Sequence, residues 1–415
     1  MNEDYQNIER CFLCNSSKIE KIFSVEEVCL TGYFPLKDEK DPLNTPVSLV
    51  LCRDCGNIQA RELVNPDLMF RDYWYRSSTT STMKQHLKDL VDRFSKENGT
   101  LLDIGSNDGT LMEMAKAKGM DVWGVEPSDA LRDSSSFVKD RTVNSFFGDQ
   151  LSDEFLSKLD KKFDLITAIS MFYDVPNPLD FILKAKDLLS DSGVLVIEVN
   201  YAKSFFEREN IDMLGQEHLI YYFINTFSKL INESGLYIND AYLTDMNGGN
   251  ITFSISKRDS STERLENLKK EEDIWLEEYD FQDFENKVKK GFDKLKDYIL
   301  ELSSDKVIKV LGASTRGAMI IQMLGLNNEV IKSAVDLQKN KVGRRIPGTN
   351  IEIEFDGDHS EPDFYLVMPY QFKKEIIERY TNFMKKGGGL LFYRPSQEVV
   401  TYDELKEEIL HSPIA

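Results

Sequence analysis

The stretch GTLLDIGSNDGTLMEMAKAKGMDVWGVEPSDAL, residues 99–131, constrains the fold more than any other part of the chain. A short apolar run ends at Asp103, a glycine turn spans Gly105 to Gly109, and a helix follows with Leu111, Met114 and Ala115 on one face. A second apolar run ends at Glu126. This is the opening β-α-β of a doubly wound α/β sheet, whose ligand binds at the carboxyl ends of the strands. Residues 163–175 and 193–200 supply two further strands, and the stretch between them is an amphipathic helix on Phe181, Ile182, Ala185 and Leu189 that stops at Gly193. Residues 144–149, NSFFGD, fall at the third strand end, where Asp149 is either an adenine contact or a plain loop carboxylate.

Two ligands suit such a turn. A dinucleotide calls for G-x-G-x-x-G, so that helix amides come close to a pyrophosphate. Here the spacing is Gly105, Ser106, Asn107, Asp108, Gly109, with acids at Asp103 and Asp108. Carboxylates there repel a pyrophosphate and suit a ligand carrying an ammonium and a sulfonium. S-adenosylmethionine carries both. Glu126, 23 residues after Asp103, is placed to accept the ribose hydroxyls, and Pro127 and Ser170 complete the expected cofactor contacts.

Four of the five cysteines form two CxxC pairs, Cys11 with Cys14 and Cys52 with Cys55. That spacing lets both thiolates of a pair converge on one ion, and two pairs complete a tetrahedral zinc site. Disulfides or unrelated thiols are the other readings, and a reducing compartment argues against disulfides. Four thiolates leave no open coordination position, so such a zinc would be structural. Cys29 reads as a small buried hydrophobe.

Beyond the cysteines, Tyr73 to Ser78 crowd aromatic rings, an arginine and two serines into six residues, and a helix follows on Met83, Leu87, Leu90, Val91 and Phe94. His86 lies at the edge of that stripe and reads as a helix-surface histidine. Residues 259–305 read as one long amphipathic helix with a solvated charged face. A second α/β unit comes after it: VIKVLGASTRGAMIIQMLGL gives strand, glycine turn and helix, and IKSAVD, FYLVMPY and GGLLFYRP give more strands. In GASTRG the amides, Ser314, Thr315 and Arg316 sit at a helix amino terminus, which suits a phosphate, although a plain strand–helix turn has the same look. No second ribose-binding acid stands out. The unit therefore reads as a holder of a substrate diphosphate, with Arg316 as clamp and Arg344 and Arg345 as local positive charge.

Length and composition bound the partners. At 415 residues two or three domains are expected, and 41% hydrophobic residues suffice for real cores. A net charge of −20 argues against nucleic acid, which calls for a basic stripe. The acidic start is unlike a secretory signal, and no apolar run is long enough to span a bilayer. A cytoplasmic monomer or small homo-oligomer is expected, with no membrane partner.

In order along nearly the whole chain, CxxC…CxxC, DYWYRSST, LLDIGSNDGTL, QEHLIYY, NGGN (247–250) and VLGASTRG resemble a known family. It comprises the S-adenosylmethionine-dependent C-3 methyltransferases of nucleotide-linked 4-keto-deoxy sugars. The resemblance implies a small zinc-binding domain (1–75), a Rossmann-like class I methyltransferase domain (76–258), a helical linker (259–305) and a Rossmann-like α/β domain (306–415) that helps hold the nucleotide sugar. It also implies that a histidine in an HEH motif is the base and that nearby tyrosines shape the pocket. Here Glu217 and His218 match the last two letters, Gln216 replaces the first histidine, Gly215 replaces a tyrosine of some members, and Asp174 stands where many have a histidine.

Carbon methylation next to a ketone needs a base near neutrality and a donor to the enolate oxygen. Histidine's ordinary pKa of about 6.5 suits the first need, so His218 is the expected base, with Glu217 orienting it or holding a sugar hydroxyl. Tyr75, Tyr221 and Tyr222 are candidates for the second need. Tyr73, Ser77, Ser78, Asn247, Arg316 and Arg345 are the expected substrate contacts. Methyl transfer to oxygen of a nucleotide sugar or related glycan precursor is the alternative.

Overall fold

The computed structural model describes residues 4–71, 74–148, 162–394 and 397–405. They form two compact units: Met1–Phe23, Ser48–Glu207 and Gln216–Phe281 make the first, and Ser24–Val47, Arg208–Gly215 and Gln282–Ala415 the second. This division cuts across the segments expected from sequence. The CxxC pairs lie in the same unit as the central sheet, because the strands Ile19–Cys29 and Asn44–Cys52 each carry the chain from one unit into the other.

The first unit is built on seven strands: β1 Thr100–Ile104, β2 Asp121–Val125, β3 Thr142–Val143, β4 Phe163–Ile169, β5 Leu189–Asn200, β6 Tyr237–Thr244 and β7 Asn250–Ser256. Their order is β6-β7-β5-β4-β1-β2-β3. The strands β1 to β5 are parallel, and β7 runs antiparallel between β5 and β6. The core strands read as unbroken apolar runs because both faces are covered. Leu101, Leu165 and Val196 point to one face, under helix α1 Ser81–Phe94 with its buried Met83, Leu87, Leu90 and Val91. Leu102, Ile166, Leu195 and Ile197 point to the other, where Phe181, Ile182 and Ala185 of α3 (Pro178–Leu188) and Phe227, Leu230 and Ile231 of α4 (Ile224–Glu233) pack. Between β1 and β2 runs α2, Thr110–Ala117.

One boundary differs from expectation. α3 ends at Leu188, and Leu189 already pairs with Phe163 in β5. Gly193 is inside the strand, beside a register shift, where a β-carbon would come within 2.7 Å of the Phe163 carbonyl oxygen.

A four-stranded sheet carries the cysteine pairs on its strands and turns, in the order Ile220–Tyr221, Ile58–Ala60, Asn44–Cys52, Ile19–Cys29. Its edge pairing, Ile220 with Gln59 and Tyr221 with Ile58, ties the segment just after His218 to the residues just after Cys55.

The expected single helix over 259–305 is two helices, α5 Glu263–Glu278 and α6 Phe284–Ser303. The chain turns extended at Tyr279, and the Tyr279 and Phe281 rings pack on Phe206 at 5.7 and 5.1 Å, so aromatic burial outweighs helical continuity there.

In the second unit six strands, β8 Ile308–Leu311, β9 Ala334–Asp336, β10 Ile353–Phe355, β11 Phe364–Val367, β12 Gly389–Phe392 and β13 Glu398–Val400, stand in the order β10-β9-β8-β11-β12-β13. All are parallel except β13. That is the 3-2-1-4-5-6 order of a dinucleotide sheet, with its switch point between β8 and β11.

Candidate active site

The glycine turn after β1 is closed on itself. Gly105 and Ser106 both donate their amides to the Val125 carbonyl, at 2.8 and 3.2 Å, Asn107 donates its amide to Glu126 Oε2 at 2.7 Å, and Gly109 donates to the Ser106 carbonyl at 2.9 Å. Four loop amides are thus engaged within the protein, and the cradle that a pyrophosphate would need is missing. Glu126, buried at the end of β2, also accepts from Ser128 N at 2.9 Å, and its remaining lone pairs suit the two hydroxyls of a ribose. The Pro127 carbonyl accepts from Arg71 at 3.3 Å. Ser106 Oγ is buried without a partner.

Left-handed backbone at Gly105 (φ 74°), Asn107 (φ 52°) and Gly109 (φ 80°) shapes the turn. Asp108 accepts from the Thr110 amide and hydroxyl, capping α2, and from Ser78 N at 2.9 Å. Asn107 accepts from Ser77 N at 3.0 Å and donates to the Tyr75 carbonyl at 3.1 Å. The segment Tyr75–Ser78 is therefore laced to the loop, with Tyr75 40% exposed. Tyr73 and Asp149 lie outside the described residues.

Asp103 differs from expectation. It is 3% exposed and accepts from the Thr167 hydroxyl at 2.7 Å; burial first, opposed by that bond, pushes its carboxyl up to about 7. It is bonded to the neighbouring strand β4, while Asp108 is the acid carried by the glycine turn itself.

Ser170 follows β4 directly with φ 54°, and Asn247 in the turn between β6 and β7 has φ 53°. Their side chains meet at 3.3 Å. Beneath them Glu198 of β5 is fully buried and accepts from Ser170 Oγ (3.2 Å), Asn250 (2.9 Å), Thr252 (2.8 Å) and His86 Nε2 (2.9 Å). His86, expected on the helix surface, is instead 11% exposed at its side chain and bonded to a buried carboxylate. Burial alone would lower its pKa, but the Glu198 hydrogen bond and charge outweigh that and raise it; for Glu198, the His86 bond and charge with the Asn250 and Thr252 bonds outweigh burial and lower it. The sequence signal was a lone acid in the apolar strand VLVIEVN.

His218 stands on irregular backbone just after the turn at 216–217, which frees it and Glu217 from helical directions. Its side chain is mostly buried, with the ring edge-on to Tyr173 at 4.7 Å. Leu219 N donates to the Tyr173 carbonyl (2.9 Å) and Ala60 N to the Leu219 carbonyl (2.8 Å), so the segment is pinned between the β4 strand end and the cysteine-bearing sheet. Tyr173 in turn donates its hydroxyl to the Ser170 carbonyl at 2.8 Å. His218 and Ser170 therefore share one neighbour. Asp174 Oδ1 is shut off from solvent without a partner, and burial with the nearby Glu217 charge holds its carboxyl well above the usual range. Tyr222 is fully buried, stacked on Phe172 at 5.5 Å, with burial and Asp174 holding its hydroxyl protonated. Tyr221 is raised likewise, by burial first and then Glu217 and Asp174.

The four thiols Cys11, Cys14, Cys52 and Cys55 lie within 4.8 Å of one another, with Cys11–Cys55 at 3.6 Å and Cys14–Cys52 at 3.5 Å. Sulfurs around a tetrahedral zinc stand about 3.8 Å apart for a metal–sulfur bond near 2.3 Å, so the cluster fits such an ion. Asn57 and Leu13 N donate to Cys11 Sγ, and Gly56 takes the left-handed turn (φ 80°) after the second pair.

In the second unit Ser314 caps α7 (Thr315–Met323) by accepting from Gly317 N at 3.0 Å. Arg316 is paired with the buried Asp212 at 3.4 Å, which offsets the positive charge expected to clamp a diphosphate. Arg345 is bound to Asp41 and to the carbonyls of Glu39 and Thr349, a set of bonds that secures residues 39–41 within this unit. The acid not evident in the sequence is Asp336, at the tip of β9. Its carboxylate accepts from Ala313 N (3.0 Å), Gln338 N (2.8 Å) and the buried Lys341 (3.4 Å), so the ribose position of this sheet is already engaged by the chain itself.

Comparison with known proteins agrees with this geometry. Residues 79–240 match the family model described as a methyltransferase domain, and residues 245–395 match the C-methyltransferase C-terminal domain. The chain is 25% identical over 423 residues to the C-methyltransferase NovU of Streptomyces niveus, covering 97% of this chain and 99% of that one. A ubiquinone biosynthesis O-methyltransferase of Glaesserella parasuis is 28% identical over 179 residues, covering 40% of this chain and 73% of the relative. Among solved structures, the CcbJ methyltransferase of Streptomyces caelestis aligns with 46% of this chain and 94% of its own at 12% identity, with a TM-score of 0.35. The family models and the full-length relative, together with the glycine turn and strand order, make the chain a methyltransferase, similar over 97% of its length to a C-methyltransferase.

Proposed function

We propose that the chain methylates carbon next to the ketone of a nucleotide-linked 4-keto-deoxy sugar. The observation that carries this reading is a histidine, His218, set beside Tyr173 at the carboxyl end of β4, in a chain whose likeness to a C-methyltransferase runs end to end. His218 removes the proton of the acidic carbon, and the freed electron pair moves toward the ketone oxygen. Asp108, Glu126 and the loop 105–109 hold the donor, and Ser170 faces its reacting end. When bound there, S-adenosylmethionine supplies the sulfonium methyl that the carbon takes, while the C–S electron pair leaves with S-adenosylhomocysteine. The four cysteines hold a structural zinc.

The test uses keto-sugar nucleotides in deuterated water without donor. Enolisation labels the acidic carbon; methylation of a hydroxyl, the alternative reading, leaves that carbon unlabelled. With donor added, the product gains the mass of one methylene. A panel with neither label nor mass gain refutes the proposal.

A further inference from the structure

Glu198 and His86 have no part in the chemistry described so far, yet they form a buried ion pair whose carboxylate also holds three further side-chain donors. A carboxylate with no exposure that collects four side-chain donors at a strand end is expensive to bury unless each bond is kept. The donors come from four places: α1 (His86), the end of β4 (Ser170) and two positions on β7 (Asn250 and Thr252). Above it stand two non-glycine residues in left-handed backbone, Ser170 and Asn247, joined to each other at 3.3 Å. Such conformations persist only where the surroundings over-determine them, and they cluster at ligand clamps.

The sheet order says which end of the donor lies here. The acid that suits the ribose, Glu126, ends β2, the glycine turn follows β1, and Ser170 and Glu198 belong to β4 and β5 on the far side of β1. A ligand that starts at β2 and crosses β1 reaches Ser170 with its amino-acid and methyl end.

We propose that His86 and Glu198 are positioning residues for the amino-acid and methyl end of S-adenosylmethionine, acting through Ser170 and Asn247. His86 neutralises Glu198 so that the carboxylate can stay buried, and Glu198 holds Ser170 and the 247–250 turn in place. The inference concerns the donor alone and needs no knowledge of the acceptor.

Calorimetry of the full-length protein with two probes tests it: S-adenosylmethionine, and 5′-methylthioadenosine, which lacks the amino-acid part. His86→Gln and Glu198→Gln each weaken S-adenosylmethionine about tenfold and leave methylthioadenosine within about twofold, as expected when a pair acts on one end of a ligand. The double variant, a neutral pair, regains most of the loss. Ser170→Ala, which keeps the ion pair intact, gives the same selective loss and covers the case in which a single charge variant fails to fold. Equal weakening of both probes, or no weakening of either, assigns the pair to fold stability alone and overturns the proposal.

Discussion

Replacing Gly109 by alanine tests whether the donor turn is fixed by sterics. Its φ of 80° lies in the left-handed region, and a β-carbon would stand 2.4 Å and 2.5 Å from the two methyls of Val138. The backbone part costs about 1–2 kcal/mol, and the clash with a stiff, fully buried valine adds about 1–3 kcal/mol. Gly109→Ala therefore lowers stability by about 2–5 kcal/mol. Gly105 is the internal control: its β-carbon would meet the flexible Met171 side chain at 2.8 Å, so Gly105→Ala retains the backbone part and loses most of the steric part. All three tryptophans, Trp74, Trp123 and Trp275, belong to the first unit, so urea unfolding followed by tryptophan fluorescence reports on that unit. In a double-mutant cycle, Val138→Ala relieves Gly109→Ala by about 1–3 kcal/mol, the steric share alone. A Gly109→Ala protein within about 0.5 kcal/mol of wild type, or a cycle without coupling, refutes the account.

His86 and Glu198 give a pH signature. His86 titrates above its ordinary value, so its contribution is whole below about 6.5 and fades as pH rises through the folded value. Glu198 titrates below its ordinary value, so its contribution is whole above about 4.5 and fades as pH falls through the folded value. The stability gap between wild type and Glu198→Gln is thus widest between those limits; a gap independent of pH contradicts the pairing. Asp174 runs the other way: its folded value is raised, so wild type loses stability as pH climbs from its ordinary value near 3.8, and Asp174→Asn raises the unfolding midpoint at neutral pH. If the four thiols hold the proposed zinc, chelator treatment, like Cys14→Ser, loosens the sheet that holds Leu219 through Ala60, so turnover falls before donor affinity does; equal loss of both, followed by calorimetry, speaks against that link. His218→Ala abolishes turnover and leaves donor binding unchanged by calorimetry, and normal turnover moves the base elsewhere.

The local features were legible because each is set by neighbours in sequence. A glycine turn between an apolar strand and a helix, a CxxC spacing and a lone histidine on irregular backbone all carry their geometry within a few residues. Residues 99–131 formed the expected β-α-β, and the four cysteines converge. The break at Tyr279 was not legible, since helical periodicity says nothing about an aromatic cluster that Phe206 completes from more than seventy positions away.

Charge partnership was the larger blind spot. His86 looked like a surface residue because its helix stripe is read along one helix, while its partner Glu198 lies 112 positions on, in a strand. Arg316 looked like a free clamp until Asp212 met it, and Asp336 went unnoticed because an acid at a strand tip gains meaning only once the strand order is known. The amino-acid sequence alone determined which turns, strands and knuckles this protein makes, since short-range sterics and periodicity decide those. Only the tertiary structure decided which ionisable groups are paired, buried or neutral, because that depends on what the folded chain places against them.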